Sequence, residues 1–266
     1  MNLSFCQKAL TIESGQYYID GVRGTEVTLQ EPFQYENQLY LNLNRTGGLD
    51  GEALADTITS LNGVDLFTIL ISDPNFNVET DLTFPKDSKY YSWFCFAVPK
   101  PKSPSTAPTL EPPLSMKIVQ TLDAKTILLL GERWERDYIE AVLGNYPDSL
   151  KEIARKSFSS SINQPNSHHA LFYDGDALVG HLMLDTAYFP PLGANSTAVH
   201  FWVDATLPKE TRRRIHANLW HQVHNSFSDD PRFAGVARIN SKSVNYLLHN
   251  GAYPLHLRVK RIEDHE

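Results

Sequence analysis

The run Ala198-Val199-His200-Phe201-Trp202-Val203 is followed by Asp204-Ala205-Thr206-Leu207 and then by Pro208-Lys209-Glu210-Thr211-Arg212-Arg213-Arg214-Ile215-His216-Ala217. Its first part is rich in β-branched and aromatic residues and reads as a strand. From Pro208 the pattern changes to a helix, with Ile215, Leu219 and Val223 on one side. Downstream, residues 233–239 read as a strand and 241–250 as a helix stopped by Gly251. A last strand covers 253–259. Upstream, residues 116–120 form a short strand. Asp123 caps a helix running into the Leu128 region, and 133–142 continue helically. Pro147-Asp148-Ser149-Leu150 opens a second helix, with Leu150, Ile153, Ala154 and Phe158 at helical spacing. Residues 169–173 and 177–184 pair as a hairpin around Asp174-Gly175-Asp176. The resulting order is strand, two helices, hairpin, strand, helix, strand, helix, strand. It predicts an α/β (α+β) chain with a mixed central sheet.

Six of the sixteen prolines fall within residues 99–113. Proline fixes φ and donates no hydrogen bond, so this stretch reads as a linker. Three segments follow: 1–98, the linker 99–113, and 114–266. Residues 1–98 read as a small partial α/β lobe. Strands are expected at 16–20, 38–43, 66–71 and 89–98, with a helix between Asp50, as its cap, and Gly63, as its stop. No acid pair or glycine-rich phosphate loop stands out there.

Hydrophobic residues make up 41% and charged residues 21%, enough for a packed core. No apolar run approaches the ~20 residues of a spanning helix. No signal peptide is visible at the start, so a cytoplasmic, non-membrane protein is expected. Cys6 and Cys95 are too few for a disulfide framework or a cysteine zinc site. Net charge is −7, which argues against nucleic acid as a partner. Residues 1–113 hold 7 Lys+Arg against 14 Asp+Glu; the remainder holds 17 of each and all ten histidines. His221 and His224 share a helical face, but no acid stands at ligand spacing, so no metal is expected.

The stretch Asp176-Ala177-Leu178-Val179-Gly180, the strand–helix pair around Val203 and Arg212, and Asn240-Ser241-Lys242-Ser243 leading to Gly251 resemble the GNAT superfamily of CoA-dependent N-acyltransferases. The resemblance covers 114–266. Val236-Ala237-Arg238-Ile239-Asn240, with Tyr246 and Gly251-Ala252, looks most similar to the dTDP-fucosamine type of nucleotide-sugar acetyltransferases.

The resemblance implies acetyl-CoA, or another acyl-CoA, as co-substrate, direct attack by a primary amine of a small molecule, and a first lobe that walls the acceptor site. The family's Arg/Gln-x-x-Gly-x-Gly/Ala phosphate turn falls on Arg212, Arg213, Arg214, Ile215, His216 and Ala217, with Ile215 where glycine is expected. Three arginines offer charge-assisted bonds in its place. Backbone around Val203 would hold the thioester oxygen. His200 is the candidate base, with Asp185 as fallback. Tyr246 is the candidate acid, one residue before the family's position, which here is Leu247. Asn240 and Ser243 match the CoA-contacting pair; the alternative reading is capping, with Asn240 or Ser241 as the cap of the helix that follows. The alternative is a binding or assembly module that keeps the fold without acyl transfer; Ile215 and Leu247 favour it. The oligomeric state is open, a homodimer among the options.

Overall fold

The structure, a computed structural model, describes residues 17–18, 28–29, 33–35, 38–43, 49–63, 65–71, 76–85, 88–99, 106–162, 164, 167–189, 193–225, 232–238 and 240–262. Cys6, residues 100–105 of the proline-rich stretch and residues 226–227, where the helix expected from Pro208 would end, lie outside them. The fold is mixed α/β. In chain order the elements are β1 Tyr17–Tyr18, β2 Thr28–Leu29, β3 Phe33–Tyr35, β4 Gln38–Leu43, β5 Leu49–Asp50, α1 Gly51–Asn62, β6 Leu66–Ile71, β7 Leu82–Thr83 and β8 Tyr90–Val98. There follow β9 Leu114–Val119, α2 Ala124–Trp134, a π-helical turn Glu135–Glu140, α3 Asp148–Ile162, β10 His168–Asp174, β11 Ala177–Phe189, β12 Gly193–Val203 and α4 Lys209–Asn225. The chain ends with β13 Arg232–Ala237, α5 Ser241–His249 and β14 Tyr253–Arg261.

These elements form two compact units. The first takes the described residues up to Val98, with Phe189 and Gly193, and those from Gly235 onward. The second takes Pro99 to Tyr188 and Ala194 to Ala234. The chain beyond residue 113 therefore contributes to both.

In the first unit, β4 and β6 are parallel, and β14 runs antiparallel between β6 and β8. Leu257 and Val259 of β14 are fully buried, as are Phe67 of β6 and Phe94 of β8. α1 starts where Asp50 accepts from the N–H groups of Glu52 and Ala53 at 3.0 and 3.2 Å. It stops at Gly63, whose φ of 63° lets its N–H reach Thr59 O at 2.8 Å. Leu54 and Ile58 bury its apolar face.

In the second unit, β9, β10 and β11 are antiparallel neighbours, and β12 lies between β11 and β13. The hairpin β10–β11 closes through Gly175 at φ 58°. One sheet face carries Leu171 and Leu178, packed with Leu122, Leu130 and Ile162 of the α2–α3 layer. The other carries Gly180 and Phe172, paired across β11 and β10. A Cβ on Gly180 would stand 3.2 Å from Ile215 Cγ2, so a larger residue there would need α4 to give by a few tenths of an ångström. Ile215, Leu219 and Val223 of α4 are all fully buried. Among the described residues, no helix is long and apolar enough to cross a membrane.

Candidate functional site

β12 and β13 pair in parallel at Thr197–Arg232 and Ala198–Phe233, and β12 runs on beyond the last pair to Val203. On its other side the strand stays tied to β11, since Asp204 N–H donates to Val179 O at 2.9 Å. The N–H of Asp204 is thereby committed; half-buried Val203 precedes it.

The end of β12 is fastened from above. Arg133 of α2 donates to the Asp204 carboxylate at 3.1 Å and lays its guanidinium 4.5 Å over the Trp202 ring. Trp202 Nε1 donates to Asp137 at 3.0 Å, and Asp137 also takes Arg136 at 2.7 Å. Asp204 accepts from Thr206 through its N–H at 2.9 Å and its hydroxyl at 2.7 Å, closing the turn into α4. Burial would raise the Asp204 pKa; the bonds from Thr206 and Arg133 outweigh it and hold the carboxyl below the usual range.

Residues 212–217, expected as a phosphate turn, lie inside α4 instead. Arg212 N–H already donates to Pro208 O at 3.0 Å, so the amides ahead of the first helical bond are those of Lys209, Glu210 and Thr211. The expectation that Ile215 faces a phosphate is corrected with it: the side chain is fully buried against Gly180 and Phe172. The arginines divide. Arg214 pairs with Glu111 at 2.8 Å, and Arg213 reaches Glu210 at 3.7 Å. Arg212 is half-buried, and its Nε is enclosed with no hydrogen-bond partner among the described residues.

His216 is half-buried, edge-on to Phe201 with ring centroids 6.3 Å apart. Phe201 also meets Trp220, and Trp220 stacks on His224 at 5.7 Å. His216, Trp220 and His224 thus form one column at helical spacing. Burial, then the charge of Arg212, lowers the His216 pKa. Ala217 is exposed.

His200 is open to solvent, yet protein crowds it enough that desolvation pushes its imidazole below the ordinary value. The lowered value keeps the ring neutral near pH 7. Behind it is a pair that the sequence reading missed. His169 Nδ1 and His181 Nε2 are 3.0 Å apart on β10 and β11, with nearly parallel, buried rings. Their pKa values fall to about 4 and about 3 through burial, and His200 adds to the effect on His181. The signal was present only in combination: two histidines in strands whose register sets them side by side.

Asp185 is buried. With its amide nitrogen turned to the carboxylate, Gln164 donates to both oxygens, at 3.2 and 3.1 Å. It stands six residues along β11 from Val179, ~20 Å from the end of β12 at strand rise. Asn240, Ser243 and Tyr246 belong to the first unit. Asn240 caps α5, accepting from Ser243 N–H at 3.2 Å. Tyr246 is half-buried, and Leu247 beside it is a core residue. The described residues bring the end of β12, the start of α4, Arg212 and His216 into one unit with His200 and Asp185. They contain no group of three or more His, Cys, Asp or Glu able to hold a metal ion.

No protein-family profile matches the chain, and no curated protein does. Among solved structures, it is similar to a GCN5-related N-acetyltransferase from Kribbella flavida at 10% identity, covering 99% of this chain and 95% of that one, with a TM-score of 0.40. An acetyltransferase of the GNAT family from Colwellia psychrerythraea is similar at 10% identity, with coverage of 99% and 98% and a TM-score of 0.43. A functionally unknown conserved protein from Staphylococcus epidermidis is similar at 10% identity, with 96% and 97% covered and a TM-score of 0.43. Likeness of this degree leaves the functional reading to the chain's own geometry.

Proposed function

We propose that the chain is an acyl-CoA-dependent N-acyltransferase that acetylates a primary amine of a small molecule, nucleotide-sugar amines being one acceptor class. The observation that supports this most is Arg212. One turn into a helix that follows directly on a strand end, it keeps a buried Nε without a partner while its two neighbours are engaged by acids. Pro208 has no side-chain acceptor for the first amides of α4, and the Asp204 carboxylate is taken by Thr206 and Arg133. Backbone N–H groups with a guanidinium are the donors a diphosphate needs, so the residues present fit CoA. Glu210 lies in the same turn, but Arg213 and Arg214 face its charge at 3.7 and 3.9 Å.

Acyl-CoA supplies a thioester-activated acyl group. The residues of this chain do the rest. Lys209, Glu210 and Thr211 amides and Arg212 hold the phosphates. The last residues of β12, between His200 and Val203, orient the carbonyl; neutral His200 takes the amine proton, and the CoA thiolate leaves as the C–N bond forms.

Acetyl-CoA should raise the melting temperature. At 100 times Kd, a ligand that binds only the folded state adds about 2.7 kcal/mol. Arg212→Ala should weaken acetyl-CoA binding about tenfold, near 1.4 kcal/mol, and leave the KM for the amine unchanged. Arg214→Ala, which removes a surface pair with Glu111, should leave both nearly unchanged. Equal losses in the two variants would remove the assignment to Arg212. The second reading, a binding module, is favoured by buried Ile215 and Leu247 at positions where the family expects glycine and tyrosine. Absence of a melting shift with acetyl-CoA would favour it, and a shift with no thiol release across a panel of amines would mark a CoA binder only.

A further inference from the structure

We propose that the solvent face of α2 is a two-fold interface between two copies of this chain. Lys125, Leu128, Leu129 and Glu132 stand at i, i+3, i+4 and i+7, so they form one stripe along the helix. All four are exposed; Leu128 is 63% accessible and Leu129 39%. The opposite side of α2 already meets the core through Thr126, Ile127 and Leu130. The leucine pair is therefore surplus to the packing of its own unit.

The charges say what covers it. Neither Lys125 nor Glu132 has a side-chain hydrogen bond or ion pair among the described residues. The midpoint between them is also the midpoint between Leu128 and Leu129. An antiparallel pairing about that point sets Lys125 of each copy opposite Glu132 of the other, twice, with Leu128 against Leu129 at the centre. A parallel pairing would set lysine on lysine and glutamate on glutamate. The stripe is thus complementary to itself in one orientation, and that orientation closes as a two-fold dimer. Ridges at this spacing are the ones that interdigitate between helices. α2 has 11 residues, ~16 Å of helix, so the contact is small and the dimer reversible. The proposal is independent of the acyltransferase reading.

Sedimentation equilibrium of the full chain, over a wide concentration range at low and high salt, tests it. The wild type should show a monomer–dimer equilibrium that weakens with salt. Leu128→Glu should abolish it. Lys125→Glu and Glu132→Lys should each weaken it about tenfold or more, since each creates two like-charge contacts. Mixing these two variants should restore dimers, because every contact is again between opposite charges. All of these side chains are exposed, and unchanged melting curves should confirm that the variants fold. A chain that stays monomeric at every concentration, association that Leu128→Glu leaves intact, or no recovery in the mixture overturns the proposal. So does a monomer that instead binds lipid vesicles or a foreign protein through Leu128.

Discussion

Replacing Ile215 with glycine, which would restore the phosphate-turn residue of the resembling family, destabilises the chain by roughly 4 kcal/mol and gains no affinity for acetyl-CoA. The side chain is fully buried, and its Cγ2 lies 3.2 Å from where a Cβ on Gly180 would stand. Truncating a buried isoleucine costs about 2–5 kcal/mol through lost transfer energy and the cavity left behind. Glycine within a helix costs about 1 kcal/mol more than alanine. Urea unfolding should show the midpoint fall with an unchanged slope, the mark of a native-state loss. Gly180→Ala probes the same contact from the other side. Alone it crowds Ile215 and Phe172 at 3.2 and 3.3 Å; combined with Ile215→Ala, which removes Cγ2, it should cost less than the two changes summed. A glycine variant as stable as the wild type, or one that binds acetyl-CoA more tightly, would remove Ile215 from the core and return it to the ligand.

The same residue shows how far the sequence could be read. Two patterns overlap at Ile215: a family motif counted from Arg212, and a core stripe through Leu219 and Val223. The stripe was the better guide, because Pro208 starts the helix four residues before Arg212, and a residue two turns in no longer meets the helix mouth. Elements with local determinants were legible. Asp50 and Gly63 bound α1, Asp123 caps α2 by accepting from Thr126 N–H at 2.7 Å, and Gly175 turns the hairpin. The place of β14 was not. Its alternation says strand, but only long-range pairing with β6 and β8 says which unit it completes. Asn240 carried two meanings that local sequence does not separate, since a helix cap and a ligand contact use the same carbonyl oxygen. The His169–His181 pair needed the β10–β11 register before twelve residues of separation became 3.0 Å.

Those histidines give the steepest response of the fold to pH. His169, His181 and His256 are buried, with pKa values of about 4, 3 and 3 in the folded chain against 6.5 when free. The folded-state values are depressed, so below pH 6.5 the unfolded chain binds protons that the folded chain refuses, and stability falls as the pH falls. Near pH 5 each unfolded imidazole is almost fully charged while each folded one is still neutral. The loss is about one and a half pH units at 1.36 kcal/mol, ~2 kcal/mol per histidine and roughly 6 kcal/mol for the three. That is a large part of the 5–15 kcal/mol typical of a domain. Protonating both members of the His169–His181 pair would also set two donors against each other across their shared bond. The carboxylates do not share this window. Burial would raise Asp56 and Asp204, but their bonds to Lys89 and Tyr90, and to Thr206 and Arg133, hold them below 3.8, so their contribution is lost only at lower pH. Urea unfolding from about pH 7 down to about pH 5 should therefore show a progressive fall, steepening below 6.5. His256→Gln should make that slope shallower, whatever it does to stability at neutral pH. A level profile, or a His256→Gln profile parallel to the wild type, would mean that these rings are hydrated or already charged inside the folded chain.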